Sequence, residues 1–137
     1  MKILRIFFLL IFVLSAPSII RAQGVPKAYE AFDYSGTVNG KVVRFSLADG
    51  YIGASYLHMY LTGKAKPVYF QPDVGIADEH NKLKFVPFPK GRSGYFILDN
   101  IQEAYDKNPA YIVGNYYLNH KVFPVKFRLI KHSGATH

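Results

Sequence analysis

The stretch Tyr34-Ser35-Gly36-Thr37-Val38-Asn39-Gly40-Lys41-Val42-Val43-Arg44-Phe45-Ser46-Leu47 sets the fold class. Asn39-Gly40 sits between two runs in which apolar and polar side chains alternate. Both residues accept positive φ, which a two-residue turn matched to the twist of its strands requires, so the pair marks a hairpin. In the second run Val43, Phe45 and Leu47 fall on one face with Arg44 and Ser46 on the other, the period of a half-buried strand.

The same period recurs downstream, broken by turn residues every eight to twelve positions or so. Ile52 to Leu61 reads as a strand that turns at Thr62-Gly63 into Ala65 to Gln71, where Val68 and Phe70 flank Tyr69. After a loop from Pro72 to Asn81, Lys82 to Phe88 and Tyr95 to Leu98 enclose the turn Pro89-Lys90-Gly91-Arg92-Ser93-Gly94. Tyr111 to Leu118 and Val122 to Ile130 form the last pair, joined at Asn119-His120-Lys121, with Phe123, Val125, Phe127 and Leu129 as an inward row. The pattern predicts an all-β chain: a single antiparallel meander of about eight strands closing into a small barrel or sandwich. Two short helices are expected beside it. Ile101 to Lys107 has Asn100 as N-cap, Glu103 at the capping-box position and Asn108-Pro109 as a stop; Lys27 to Phe32 follows Pro26. Lys131 to His137 reads as a polar tail.

Upstream of this domain, Met1 to Ala22 has the form of a secretory signal. Lys2 and Arg5 precede the apolar run Ile6 to Leu14, and small residues follow. The run is shorter than a membrane-spanning helix needs. Cleavage after Ala22 leaves 115 of 137 residues, and loss of Lys2, Arg5 and Arg21 lowers the formal charge from +8 to +5. The organisation is thus a signal at 1–22, a β domain at 23–130 and a tail at 131–137, with no stable membrane span after cleavage. The expected location is the periplasm or the extracellular space.

Composition narrows the chemistry. The chain is 50% hydrophobic and 16% aromatic, with 11 Tyr, 11 Phe and no Trp, which excludes disorder as its main state. It has no Cys, so disulfides, thiolate nucleophiles, cysteine zinc sites and iron–sulfur clusters are excluded. Gly40-Lys41 and Gly63-Lys64 lack the remainder of a phosphate-binding loop. Gly91-Arg92-Ser93-Gly94 is one residue out of register for a nucleophile elbow and lies in a hairpin turn. His58, His80, His120, His132 and His137 show no pairwise metal-ligand spacing. Asp73, Asp78, Glu79 and His80 share one loop without an EF-hand pattern and read as solvated. No cofactor or metal is expected, and an enzyme is not the favoured reading. A hydrolase would need an acid pair of raised pKa beside Asp73 or Asp99.

Ile52-Gly53-Ala54-Ser55-Tyr56 echoes Ile112-Val113-Gly114-Asn115-Tyr116, either through half-barrel duplication or through chance in a Tyr- and Gly-rich chain. These segments, with Gly36-Thr37-Val38-Asn39-Gly40-Lys41 and Val125-Lys126-Phe127-Arg128-Leu129, resemble small exported bacterial β-barrel and β-meander proteins of uncharacterised function. The outline is similar to lipocalin-like barrels, although the Gly-x-Trp signature cannot occur without Trp. The resemblance implies a fold and assigns no catalytic residue.

Candidate binding residues come from the outward faces. Tyr56, His58 and Tyr60 alternate with Leu57, Met59 and Leu61; Tyr69 and Tyr117 occupy similar positions; Arg44, Lys126 and Arg128 lie opposite core rows. Amphipathic rings beside cations suit stacking on a flat ligand or contact with an anionic partner, and they also pack well across strands on any wet face. The expected function is non-enzymatic: a small barrel taking an apolar or aromatic ligand in its interior or mouth. The alternative is an envelope protein-interaction or enzyme-inhibitor module, or an anionic-glycan binder, using the Tyr, Lys and Arg face. Export and the lack of dense Lys/Arg clusters argue against nucleic acid.

Overall fold

A computed structural model describes the backbone of residues 29–136 and the side chains of residues 29–130. The expected signal, with Lys27 and Ala28 of the first expected helix, lies outside the described residues. The rest is all-β: β1 (Tyr29–Val38), β2 (Lys41–Asp49), β3 (Tyr56–Met59), β4 (Val68–Pro72), β5 (Leu83–Phe88), β6 (Tyr95–Leu98), β7 (Tyr111–Leu118) and β8 (Lys121–Thr136), with a lone 3-10 turn at Ile52–Ala54. Each strand pairs antiparallel with the next, and β8 returns to β1, so the sheet closes into a barrel.

Local chemistry places the turns. Asn39 and Gly40 have φ of 47° and 74°, and Asn119 and His120 have 50° and 64°, so both hairpins use the doubly left-handed turn that the strand twist favours. His120 occupies a position where glycine would be unstrained. Closure between β1 and β8 has register shifts at Ala31/Phe32 and Asp33/Tyr34, irregularities of the kind that add local bend to a barrel wall.

An eight-stranded barrel has an interior just wide enough for side chains to fill. Here Tyr34, Phe45, Phe70, Phe85, Phe96 and Phe127 fill it, all essentially without exposure. Phe45 lies at the centre, its ring centroid 5.9 Å from Tyr34, 5.7 Å from Phe85 and 5.7 Å from Phe127. A second ring group joins Phe70, Phe96 and Tyr116, with centroid separations of 5.0 and 4.6 Å from Phe96. Near-perpendicular and tilted pairs at these distances are the favoured aromatic geometries.

One end of the barrel is plugged. Ile52 from the 3-10 turn and Ile101 from the β6–β7 connection are buried there. The Tyr34 hydroxyl donates to the Pro109 carbonyl at 2.9 Å, and the Gly50 N–H donates to the Glu103 carbonyl at 2.8 Å. The buried Ser55 hydroxyl accepts from the Ala48 N–H at 2.9 Å and holds the turn against β2.

Several expectations change. Ile101 to Lys107 is not helical: Asn100 has φ 55°, incompatible with the extended conformation of an N-cap. Tyr105 instead donates its N–H to Asp49 Oδ1 at 2.9 Å, while its hydroxyl donates to the Asn100 carbonyl and accepts the Gln102 N–H, each at 3.0 Å. Tyr29 to Phe32, the described part of the other expected helix, belongs to β1, because both β2 and β8 offer it a ladder. Long-range pairing there overrides weak local preference. The strand expected at Ile52–Leu61 is shortened to Tyr56–Met59 by the turn that inserts Ile52 as a plug. That turn also breaks the internal echo, since Gly53 lies in a 3-10 turn and Gly114 in the middle of a strand. Pairing of β8 continues beyond Ile130 to Thr136, so the backbone after 130 forms a ladder with β1 where the sequence pointed to a tail.

Candidate functional site

The outward-facing candidates divide into three groups around the wall. The largest lies across β2 to β5, where Arg44 is opposite His58, His58 opposite Tyr69 and Tyr69 opposite Phe88. Tyr56 joins it: its ring is 5.6 Å from Tyr69 at 29° and 5.1 Å from His58, and His58 is 5.3 Å from Tyr69. Phe88 extends the row with its ring edge-on to Tyr69 at 6.2 Å, and it is 52% exposed. Burial lowers the His58 pKa, favouring the neutral ring. Burial, then the neighbouring Tyr56 and Tyr29, raises that of Tyr69. Tyr60 lies past the end of β3, exposed, with its N–H donated to the Val42 carbonyl.

The remaining candidates lie elsewhere. Tyr117 stacks on Tyr95 at 4.9 Å and 12°, and Lys84 sits 4.5 Å over the Tyr95 ring. Lys126 sits 4.2 Å over Tyr111, with Arg128 opposite Tyr111 in the β7–β8 register. The wall therefore carries three separate aromatic–cation groups; Arg44, Tyr56, His58 and Tyr69 come together, while Tyr117, Lys126 and Arg128 do not join them.

The open end of the barrel is a different kind of site. In an antiparallel meander alternate turns share an end, so Asn39-Gly40, the turn at Thr62-Gly63, Pro89 to Gly94 and Asn119-His120 rim the same mouth. Inside this rim lies a cavity of about 290 Å³ with walls of Met59, Leu61, Val68, Phe70 and Leu118. Lys41, Arg92, Ser93 and Tyr116 complete its lining. Tyr116 is only 3% exposed, burial raises its pKa, and its hydroxyl forms no hydrogen bond with another described residue. A Cβ at residue 94 would strike that hydroxyl, so Gly94, at φ 96°, lets the rim turn close over it.

No protein-family model, curated protein or solved structure matches this chain.

A second cavity, about 440 Å³, lies where the β4–β5 loop folds over Leu83 and Ile97. Its polar rim is internally engaged. Asp78 Oδ1 accepts the His80 and Lys82 N–H groups, both at 2.9 Å, and these backbone bonds, led by that from Lys82, hold the carboxyl below its usual range. Lys82 Nζ reaches Asp99 Oδ1 at 2.7 Å, so Asp99 is ion-paired to a lysine. Among the described residues no three His, Asp or Glu side chains are grouped to hold a metal ion, and no helix is long and apolar enough to cross a membrane.

Sequence reading missed Phe88, Lys41, Arg92 and Tyr116. The last three were accessible in principle, because a meander with turns after Val38, Leu61, Phe88 and Leu118 places Lys41, Arg92 and the strand-end apolar residues at one rim.

Proposed function

We propose that the protein is an exported, non-enzymatic binding protein whose ligand site is the mouth of the barrel, taking a small apolar or aromatic molecule. The observation that carries this reading is the asymmetry of the barrel. The interior is filled by rings and one end is plugged by Ile52 and Ile101, while the other end opens into a cup with apolar walls. A partly enclosed, mostly apolar cavity with a few polar groups is the usual form of a small-molecule site, and 290 Å³ lies just below the roughly 300–1,000 Å³ range. The secretory pattern of Met1 to Ala22 supports export.

The test is titration with an apolar fluorescent probe against the native protein and a Leu61→Arg variant, which sets a charge at the half-buried edge of the cup. Saturable binding of one equivalent, lost in the variant while its circular dichroism is unchanged, is expected. Equal binding by both proteins would place the probe elsewhere and refute the assignment. N-terminal sequencing of the protein recovered from the envelope or medium tests export, with Gln23 as the expected first residue.

A second reading rests on its own observation, the contiguous Tyr56, His58, Tyr69 and Phe88 surface beside Arg44. It fits an envelope protein or an anionic glycan. A Tyr69→Ser/Phe88→Ser double variant would then lose the partner while leaving mouth binding intact.

A further inference from the structure

The polar part of the mouth has one sign of charge. Lys41 and Arg92 are the charged residues of the cavity lining, and no carboxylate accompanies them. Neither forms an ion pair with a described residue, whereas Lys82, at the opposite end, is paired with Asp99. Tyr116 shares that lining: the residue is almost wholly buried, and its hydroxyl makes no hydrogen bond to a described residue. The cup thus combines an apolar wall with a phenol hydroxyl and two cations that have no hydrogen-bond or ion-pair partner among the described residues.

We infer that the mouth binds a small amphipathic monocarboxylate, its chain or ring against Met59, Leu61, Val68, Phe70 and Leu118 and its carboxylate held by Lys41, Arg92 and the Tyr116 hydroxyl. This rests on the mouth being the ligand site and adds the chemical class. Each polar group has a stated part. Arg92 offers a planar pair of N–H donors that matches a carboxylate, Lys41 supplies a compact charge, and Tyr116 donates a neutral hydrogen bond from the wall. At roughly 30 Å³ per water-sized unit the 290 Å³ cup holds about ten non-hydrogen atoms, the size of a medium-chain or aryl-alkanoic acid. Ser93, beside Arg92 on the same turn, can donate a further hydrogen bond.

The probes are octanoate and its neutral counterpart 1-octanol, titrated into the native protein, a Lys41→Gln/Arg92→Gln double variant and Tyr116→Phe. Affinity is read by calorimetry and location by NMR shifts of the Met59, Leu61, Val68 and Leu118 methyl groups. Tyr116→Phe keeps the ring contacts with Phe70, Phe96 and Phe123, and it removes a hydroxyl that no described residue uses, so the variant folds. The inference expects octanoate to bind about tenfold more tightly than octanol, an advantage that shrinks with added salt and disappears in the double variant. Tyr116→Phe is expected to weaken octanoate several-fold and leave octanol unchanged. Equal affinity for the two probes, with the same methyl groups shifted, overturns the carboxylate assignment and leaves the mouth as an apolar site. No methyl shift with either probe overturns both.

Discussion

Replacing Phe45 with alanine tests the barrel as a single packed object. The ring of Phe45 starts from β2 and reaches Tyr34 on β1, Phe85 on β5 and Phe127 on β8, so its removal opens a void shared by strands on opposite sides of the wall. A fully buried aromatic side chain removes about 200 Å² from water, worth about 5 kcal/mol at 25 cal/mol per Å². Part of this returns through the alanine methyl and local collapse, and observed losses for Phe→Ala in cores are about 3–5 kcal/mol. Against a total stability of about 5–15 kcal/mol, that is about a fifth or more of what holds the domain folded. At about 4 °C per kcal/mol the midpoint of thermal unfolding falls by roughly 12–20 °C. The assay is urea unfolding followed by tyrosine fluorescence and circular dichroism, with Phe88→Ala as the control. Phe88 is the same residue type but 52% exposed on the outer wall, and its loss is expected to cost about 1 kcal/mol or less. A Phe45→Ala cost below about 1 kcal/mol, or one equal to that of Phe88→Ala, would refute the closed, ring-filled interior.

Four further outcomes are expected. Gly114→Ala drives a Cβ into the Ile97 carbonyl oxygen and Leu98, and is expected to cost about 1–3 kcal/mol or more in urea unfolding; a neutral result would refute the β6–β7 approach. Ser55→Ala strips the acceptor from the buried Ala48 N–H and is expected to cost about 1–3 kcal/mol by the same measurement. His120→Gly relieves a left-handed residue in a tight turn and is expected to raise stability by roughly 0.5–1 kcal/mol; a loss would refute that turn geometry. Burial raises the pKa of Tyr34, Tyr105 and Tyr116 above the ordinary 10.0. All are protonated in both states below pH 10; above it the unfolded chain releases protons that the barrel retains, so stability falls as pH rises through that range. Unfolding midpoints measured between about pH 9 and 11, with tyrosinate absorbance on the folded protein, test this. A flat profile would contradict the burial of these phenols.

The all-β meander could be read from period-two alternation and from Asn39-Gly40, because a hairpin with one buried face is a local object whose chemistry lies within a few residues. Tyr95–Leu98 and Tyr111–Leu118 have the bounds that the pattern predicts, and Val43, Phe45 and Leu47 are buried as expected. Two features escaped for opposite reasons. Ile101 to Lys107 carries real helix signals, yet Asp49 and the Tyr105 hydroxyl, far off in sequence or on a side chain, take the hydrogen bonds a helix would have used. Tyr29 to Phe32 carries a weak local signal, and its strand exists because two neighbouring ladders wait for it. On the outer wall, alternation predicts which residues point outward and cannot say which strands lie side by side. Arg44, Tyr56, His58 and Tyr69 therefore form a neighbourhood with Phe88 that excludes Tyr117 and Lys126.

Closure of the sheet also bears on how the domain can be rewired. Tyr29 stands opposite Thr136 in the β1–β8 ladder, so the two ends of the described chain are neighbours and the strand order is a ring with no privileged starting point. A short linker from Thr136 to Tyr29, with new termini cut at the exposed Thr62-Gly63 turn, would keep every ladder and move the break from one pair of strands to another. Such a circular permutant would carry its free ends at the mouth, on the rim beside Leu61. A reporter fused there would sense whatever enters the cup without touching the plugged end.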